Sequence, residues 1–473
     1  VVAVSELFRV RWLTAALIVT AASVPFFGAL ALAPSRGATP LILLGFIAGP
    51  LAIGTCLAIR RPFATLVALY IGLAPVDFLL VNSGGGVTLT RLIGLGAIGA
   101  LVVSITVWGG NGRLPRSALA WLLAFAYMTA SVVWAGDQSK SIERLVQTGL
   151  PIAILMLAAL SRCDRFDVRI MVLAVVAGGL TVSIYGLLHP LPPQPGVQGR
   201  MYLTNGTSSI DPNGVAFSLM PALALVLAAA LAPGPLSRRI GSALIATVII
   251  AAVLLTESRG GLLAMFTMFV WLMIRARQRF VATTFVVLAG GIAILYGGAW
   301  HRLFSGASNN AEGAGRLPIW QVGLEAFRQH WLIGNGYGTF SDAYNQVYLF
   351  VPHAFVTGWS REAHDLIVSS FVELGIFGGA LVFYAWWRQF RELRGIPLND
   401  PDAWLRVGAE AGVLGVFVTA LFLDILVLKP AWVLPILIVA ISTLRHSELG
   451  ETEERDDADP AEEQLTPLAP VAG

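Results

Sequence analysis

His364 sits at the edge of an apolar run, in the stretch SREAHDLIVSSFVELG, and is the histidine whose surroundings best suit proton chemistry. A helix that starts just after it, together with neighbouring arginines, disfavours imidazolium. The ring is then neutral and able to accept a proton, which a general base requires. Asp365 acts in the opposite sense, and Arg361 and Glu362 are placed to pair with each other. A lone histidine more often serves structure, so the arginines are what make this one a candidate. Arg316 precedes an amphipathic segment, where free backbone N–H groups favour anions. Arg259 lies in TESRGGLLA, between two apolar runs. An arginine at that depth is costly unless paired or near water, so it reads as an anion ligand or as a snorkelling helix-end arginine. Glu257 and Gly260/Gly261 mark a polar break there and favour the ligand. Arg200 lies in QGRMYLTNGTSSIDPNGVA and is available to a ligand, whereas Asp211 and Asn213 read first as caps of the helix that Pro212 begins. Lys140 and Lys429 are the only lysines. Arginine suits bidentate recognition of phosphates, although codon bias gives the same composition.

Other signals carry less. The glycines of GNGYGTF, at 334, 336 and 338, lack the strand and βαβ unit of a nucleotide fingerprint. Asp457 and Asp459 form a DxD in an acidic tail, and no outward cluster of His, Cys, Asp or Glu has metal-ligand spacing, so neither a metal nor a cofactor is expected. Asn205-Gly-Thr207 is a formal sequon. Asp77, Glu373 and Asp424 fall within or near apolar spans and find no partner by inspection. Cys56 and Cys163 fall in a span and in a loop on the inner side, so no disulfide is expected.

The elements that must position these residues are membrane spans. Of 473 residues, 56% are hydrophobic and 12% charged, and the mean hydropathy is +0.75. A soluble domain carries roughly 25% charged residues. The fold class expected is all-α, a polytopic helical membrane protein. Candidate spans run near 12–33, 41–59, 63–81, 91–108, 117–134, 146–161, 168–188, 214–232, 240–256, 260–274, 280–300, 365–386, 406–427 and 431–445, about 12–14 in all, each needing roughly 20 apolar residues. The apolar N-terminal segment reads as a first span rather than a removed signal peptide. Arginines recur in alternate loops, from Arg9/Arg11 and Arg60/Arg61 to Arg388/Arg391/Arg394, which sets those loops and both termini in the cytoplasm. Residues 1–445 then form one transmembrane domain, and 446–473 an acidic, disordered tail. Net charge of +3 is too small to argue for nucleic acid. The outward polar mass gathers in loops 189–213 and 301–364. Within the second, Trp320, Leu324, Phe327 and Trp331 are spaced as the apolar stripe of a helix over 318–331, lying on the membrane surface or on the protein's own spans.

Four segments taken together resemble the bacterial O-antigen ligase and O-antigen polymerase superfamily. They are RMYLTNGTSSIDPNGVAFSL, TESRGGLLA, GRLPIWQVGLEAFRQHWLIGNGYGTFSDAY and REAHDLIVSSFVELGIFGGALV, in this order, and with the span pattern they cover roughly 130–445. One departure is Asp365, where the family commonly has Asn after the histidine. The resemblance implies a GT-C-type membrane glycosyltransferase, metal-independent, that takes a glycan from a polyprenyl (undecaprenyl) pyrophosphate carrier to a lipid or glycan acceptor on the extracytoplasmic face of the bacterial inner membrane. It implies His364 as base and Arg200, Arg259 and Arg316 as diphosphate ligands, with Arg361, Asp365, Asp211, Asn213 and Trp320 in support. Ligase and polymerase differ only in acceptor. A lipid-linked oligosaccharide flippase or transporter is the alternative of another class, and expects charge at mid-membrane rather than at the outer boundary.

Overall fold

The structure, a computed structural model, describes residues 61–80, 89–108, 114–190, 200–204, 209–275, 316–351, 360–395 and 402–444. The expected spans at 12–33, 41–59 and 280–300, Cys56, the sequon at Asn205, the Asp457/Asp459 pair and the tail lie outside these residues.

The described chain is an all-α polytopic membrane bundle. Lipid offers the backbone no hydrogen-bond partners, so each apolar run must satisfy its own N–H and C=O groups by coiling. Helices α1 (Pro62–Leu73), α2 (Leu89–Trp108), α3 (Arg116–Ser131), α4 (Gln138–Leu160), α5 (Arg165–Leu188), α6 (Pro212–Leu231), α7 (Leu236–Leu255) and α8 (Arg259–Arg275) come first. Then follow two helices of the polar loop, α9 (Arg316–Gln329) and α10 (Phe340–Val347), and the closing helices α11 (Leu366–Leu393), α12 (Ala403–Ala420) and α13 (Lys429–Leu444). Seven of them, α3 (with the turn to Trp134), α4 to α7, α11 and α12, are long and apolar enough to cross a membrane. The only described strands are a two-residue pair, Leu203–Thr204 with Ser209–Ile210.

Helix ends follow local chemistry. Asp137 accepts from the N–H groups of Ser139 and Lys140, at 3.0 and 3.1 Å, so α4 begins well before the apolar run that foretold it at 146. Asp164 and Asp167 form a capping box at α5. Helix α6 is the central post. It packs against α5, α7, α8 and α12, and 83% of its most apolar window is buried.

Ion pairs tie the two ends of the bundle separately. At one end Arg61 meets Asp164 and Asp167, Arg165 and Arg169 face Asp402, and Arg275 and Arg406 share the buried Glu410 at 3.2 and 2.9 Å. At the other end Lys140 meets Asp342 at 2.6 Å and Arg144 meets Glu362 at 3.3 Å. Lys429 holds Asp77 there at 2.7 Å, which gives that carboxylate the partner the sequence did not reveal. The alternation of arginine-bearing loops therefore corresponds to a real two-ended bundle.

Candidate functional site

The loop-bearing end gathers the singled-out residues from four stretches of chain. Asp211 caps α6 as expected, accepting from Gly214 N–H at 2.7 Å. Asn213 does not cap. Its Oδ1 accepts from Arg200 Nη2 at 3.3 Å and from Ser258 Oγ at 2.8 Å. Arg200 Nε also donates to the Thr256 carbonyl at 2.9 Å, and Met201 N–H to the Leu255 carbonyl at 2.8 Å. The segment before α6 is thus fastened to the α7–α8 turn, and the turn's next residue is Arg259, exposed at the first position of α8.

Arg316 closes the arrangement from the loop. It opens α9, and its guanidinium lies 5.7 Å over the Phe422 ring. Gly260 packs on the same ring, since a Cβ there would stand 2.7 Å from it. The arginine-bearing starts of α8 and α9 therefore meet at Phe422. Burial draws the Arg316 guanidinium below its ordinary value, while Asp211 and Asp365 act to keep it charged.

His364 stands beside these groups. Desolvation by the surrounding protein and then the charge of Arg316 hold its imidazole below the ordinary histidine value, with Arg361 adding to the effect and Asp211 and Glu362 opposing it. The ring keeps solvent access. Its backbone is left-handed, at φ 48°, an uncommon conformation for a residue with a side chain, though histidine adopts it more readily than most. Both neighbours hold it there. Trp320 Nε1 donates to the Ala363 carbonyl at 3.0 Å. Asp365 caps α11 by accepting from Val368 N–H at 2.8 Å, so its carboxylate is spent on the helix rather than on the imidazole. Burial pushes the Asp365 carboxyl above its usual value.

One partner is added and one expectation changes. Glu362 pairs with Arg144 of α4 at 3.3 Å. The buried face of α9 is Ile319, Val322, Gly323 and Ala326, packed on α10 and α11, whereas Leu324 and Trp331 of the foreseen stripe remain exposed. The helix does pack on the protein, but on a face shifted from the one that the large residues mark.

Sequence reasoning passed over Arg144 entirely. The signal was present: Lys140 and Arg144 are spaced i,i+4 at the start of a helix, on one face. Glu373 also acquires a role, since its carboxylate accepts from Gly338 and Phe340 N–H at 2.8 and 3.2 Å and fixes the glycine run. Asp424 lies within electrostatic range of Arg144, Glu362 and Asp365. Among the described residues no group of three or more His, Cys, Asp or Glu is placed to hold a metal ion.

A neutral-leaning histidine with solvent access, within electrostatic range of the Arg316 and Arg361 guanidinium groups, can take a proton from a hydroxyl while an anion is held close by. Residues 243–383, from within α7 to within α11, match the family model described as O-antigen ligase. That segment contains Arg259, Arg316 and His364, and Arg200 lies before it. No curated protein sequence matches the chain. The family match supports the O-antigen ligase superfamily and, with the membrane-spanning bundle, an O-antigen ligase- or polymerase-like membrane enzyme of the glycosyltransferase kind.

Proposed function

We propose that the chain is a ligase-type glycosyltransferase that moves a glycan from a polyprenyl pyrophosphate carrier to an acceptor hydroxyl. The observation that supports this is a chain of contacts at the end of the bundle opposite the arginine-rich loops: Arg316 lies within electrostatic range of His364, and Phe422 joins it to Gly260, beside Arg259 in the turn to which Asn213 fastens Arg200. By the positive-inside rule that end is extracytoplasmic, with the bundle in the inner membrane and both termini in the cytoplasm.

Diphosphate is already a good leaving group, so the protein has two tasks. His364 accepts the proton of the acceptor hydroxyl as its oxygen attacks the anomeric carbon. The bond from that carbon to the diphosphate oxygen breaks in the same step, and the configuration inverts. Arg200, Arg259 and Arg316 stabilise the negative charge as it develops on the departing diphosphate, the part that a metal ion plays in other phosphate-leaving reactions. Asp211 and Asn213 position the arginines, and Trp320 and Asp365 position His364. Polymerisation would use the same chemistry with a lipid-linked glycan as acceptor.

The test is transfer by the purified protein from a polyprenyl-pyrophosphate glycan to a panel of acceptors in the presence of a metal chelator. Wild-type protein is expected to release polyprenyl pyrophosphate in step with transfer. His364→Ala is expected to lose at least about 100-fold in rate, the lower range for a general base, with donor binding retained. Full-rate transfer by His364→Ala would remove the base assignment. Translocation of the lipid-linked glycan without any transfer would remove the enzyme reading.

A further inference from the structure

A groove on the loop-bearing end lies beside the histidine–arginine cluster and plays no part in the chemistry above. Two adjoining hollows form it, between the α3–α4 turn and α10. One, of about 330 Å³, has Trp134 and Asn335 among its lining residues, and the other, of about 590 Å³, has Asn345. Gly136, Asp342 and Gln346 line both, so the hollows are continuous. Each is within the range of ligand sites, about 300–1,000 Å³.

The lining chemistry is selective. Neither hollow is lined by lysine or arginine, and the carboxylates of Asp137 and Asp342, with Lys140 already paired to the latter, disfavour an anionic ligand. What the lining does provide is an indole, an imidazole, two carboxylates and primary amides. Amides and carboxylates together donate to and accept from neighbouring hydroxyls, and an indole offers an apolar face with one polar tip. Trp134 Nε1 and Asp342 Oδ2 are enclosed and have no hydrogen-bond partner among the described residues. Both groups are held in place. The Trp134 ring meets Tyr127 edge-on at 6.0 Å, and Lys140 holds the other Asp342 oxygen at 2.6 Å.

The groove is also coupled to the cluster. Asn345 and Ser360 exchange two hydrogen bonds, at 2.9 and 3.2 Å, four residues before His364. On α4, Lys140 holds Asp342 in the groove and Arg144, about one turn further on, holds Glu362 beside the histidine.

We propose that this groove is a subsite for an uncharged stretch of glycan, holding sugar rings away from the bond being made. The proposal rests on the glycosyl-transfer reading for its biological purpose, but not for its ligand chemistry. Ring faces stack on Trp134, and hydroxyls exchange hydrogen bonds with the exposed amides of Gln138 and Gln346.

The probe is the neutral oligosaccharide, about five sugars long, released by mild acid from the producing cell's lipid-linked glycan. Its binding to the full-length protein in nanodiscs is measured calorimetrically. Wild type and His364→Ala are expected to bind alike. Gly136→Leu places a side chain in the groove. The position has no left-handed backbone, and its Cβ would meet only Gln346 Nε2, at 3.7 Å, so the fold is expected to hold. It should weaken binding by about tenfold or more, and Trp134→Ala likewise, while Gln346→Ala, which only truncates an exposed side chain, should weaken it less. Undiminished binding by Gly136→Leu and Trp134→Ala, no binding by wild type, or preference for an anionic oligosaccharide would each overturn the proposal. Oligosaccharide binding by a wild-type protein that transfers nothing would sink the transfer reading and leave the groove standing.

Discussion

At the scale of single residues, His364 acts through its neighbours. It was identifiable by its place before a helix, yet desolvation by the surrounding fold and then Arg316, 48 positions away in sequence, disfavour its charged form, and Trp320 fixes the carbonyl next to it. With its imidazole held below the ordinary histidine value, kcat/KM for glycan transfer should rise with pH through that depressed value and then level off, because only the neutral ring accepts a proton. Arg316→Ala removes a positive charge that disfavours imidazolium, so the acid limb should move to higher pH, along with a loss of donor affinity. An unmoved limb would mean that the two groups are not electrostatically coupled. Arg144 was missed because an arginine just before an apolar run looks like a topology signal. Only its distance to Glu362 shows otherwise.

At the scale of elements, the glycine run and the break in α11 explain each other. Helix α11 contains a non-helical residue, Gly375, at φ 65° and ψ −169°, a region essentially restricted to glycine. A break inside a span frees backbone groups that lipid cannot satisfy. The glycine run and the turn before it satisfy them: Asn335 N–H donates to the Val372 carbonyl at 3.1 Å, Gly336 N–H to the Glu373 carbonyl at 2.8 Å, and Ile376 N–H to the Trp331 carbonyl at 2.8 Å. The polar loop is thereby docked into the membrane bundle rather than resting on it. Gly375→Ala should lower the melting temperature and transfer activity together, since a Cβ would collide with the Leu332 carbonyl and the backbone strain alone costs roughly 1–3 kcal/mol. A melting temperature equal to wild type would show that the break is not maintained. Helix α9 gives the opposite lesson. Its large apolar residues advertised one face, and packing used the smaller residues of another, because close approach to α10 and α11 selects small side chains.

At the scale of the whole molecule, the bundle has a structural end and a working end. At the first, Glu410 is fully buried between Arg275 and Arg406. At the second, Arg144 pairs with Glu362, and Arg316 and Arg361 lie within electrostatic range of His364. Orientation in the membrane follows from the positive-inside rule and is open to direct test. In a protein whose Cys56 and Cys163 are replaced by serine, a membrane-impermeant maleimide added to intact spheroplasts should label Gln329→Cys on the loop helix and not Ser237→Cys at the start of α7. Both positions are exposed. Labelling of Ser237→Cys alone would invert the topology and put the site in the cytoplasm.

Composition and apolar run length were enough to determine a polytopic helical protein, and arginine alternation was enough to sort its loops into two sets, because these follow from the cost of placing polar groups in lipid and need no knowledge of neighbours. The candidate base and the three arginines were likewise legible as residue types at helix boundaries. Their convergence was not. It depends on Asn213 joining Arg200 to Ser258, and on Phe422 receiving both Gly260 and Arg316. The groove depends in the same way on Trp134 and Asp342, 208 positions apart in sequence, coming to line one hollow. Such contacts are set by how the helices pack, and packing is decided by shape complementarity among residues far apart in sequence, which no local pattern records.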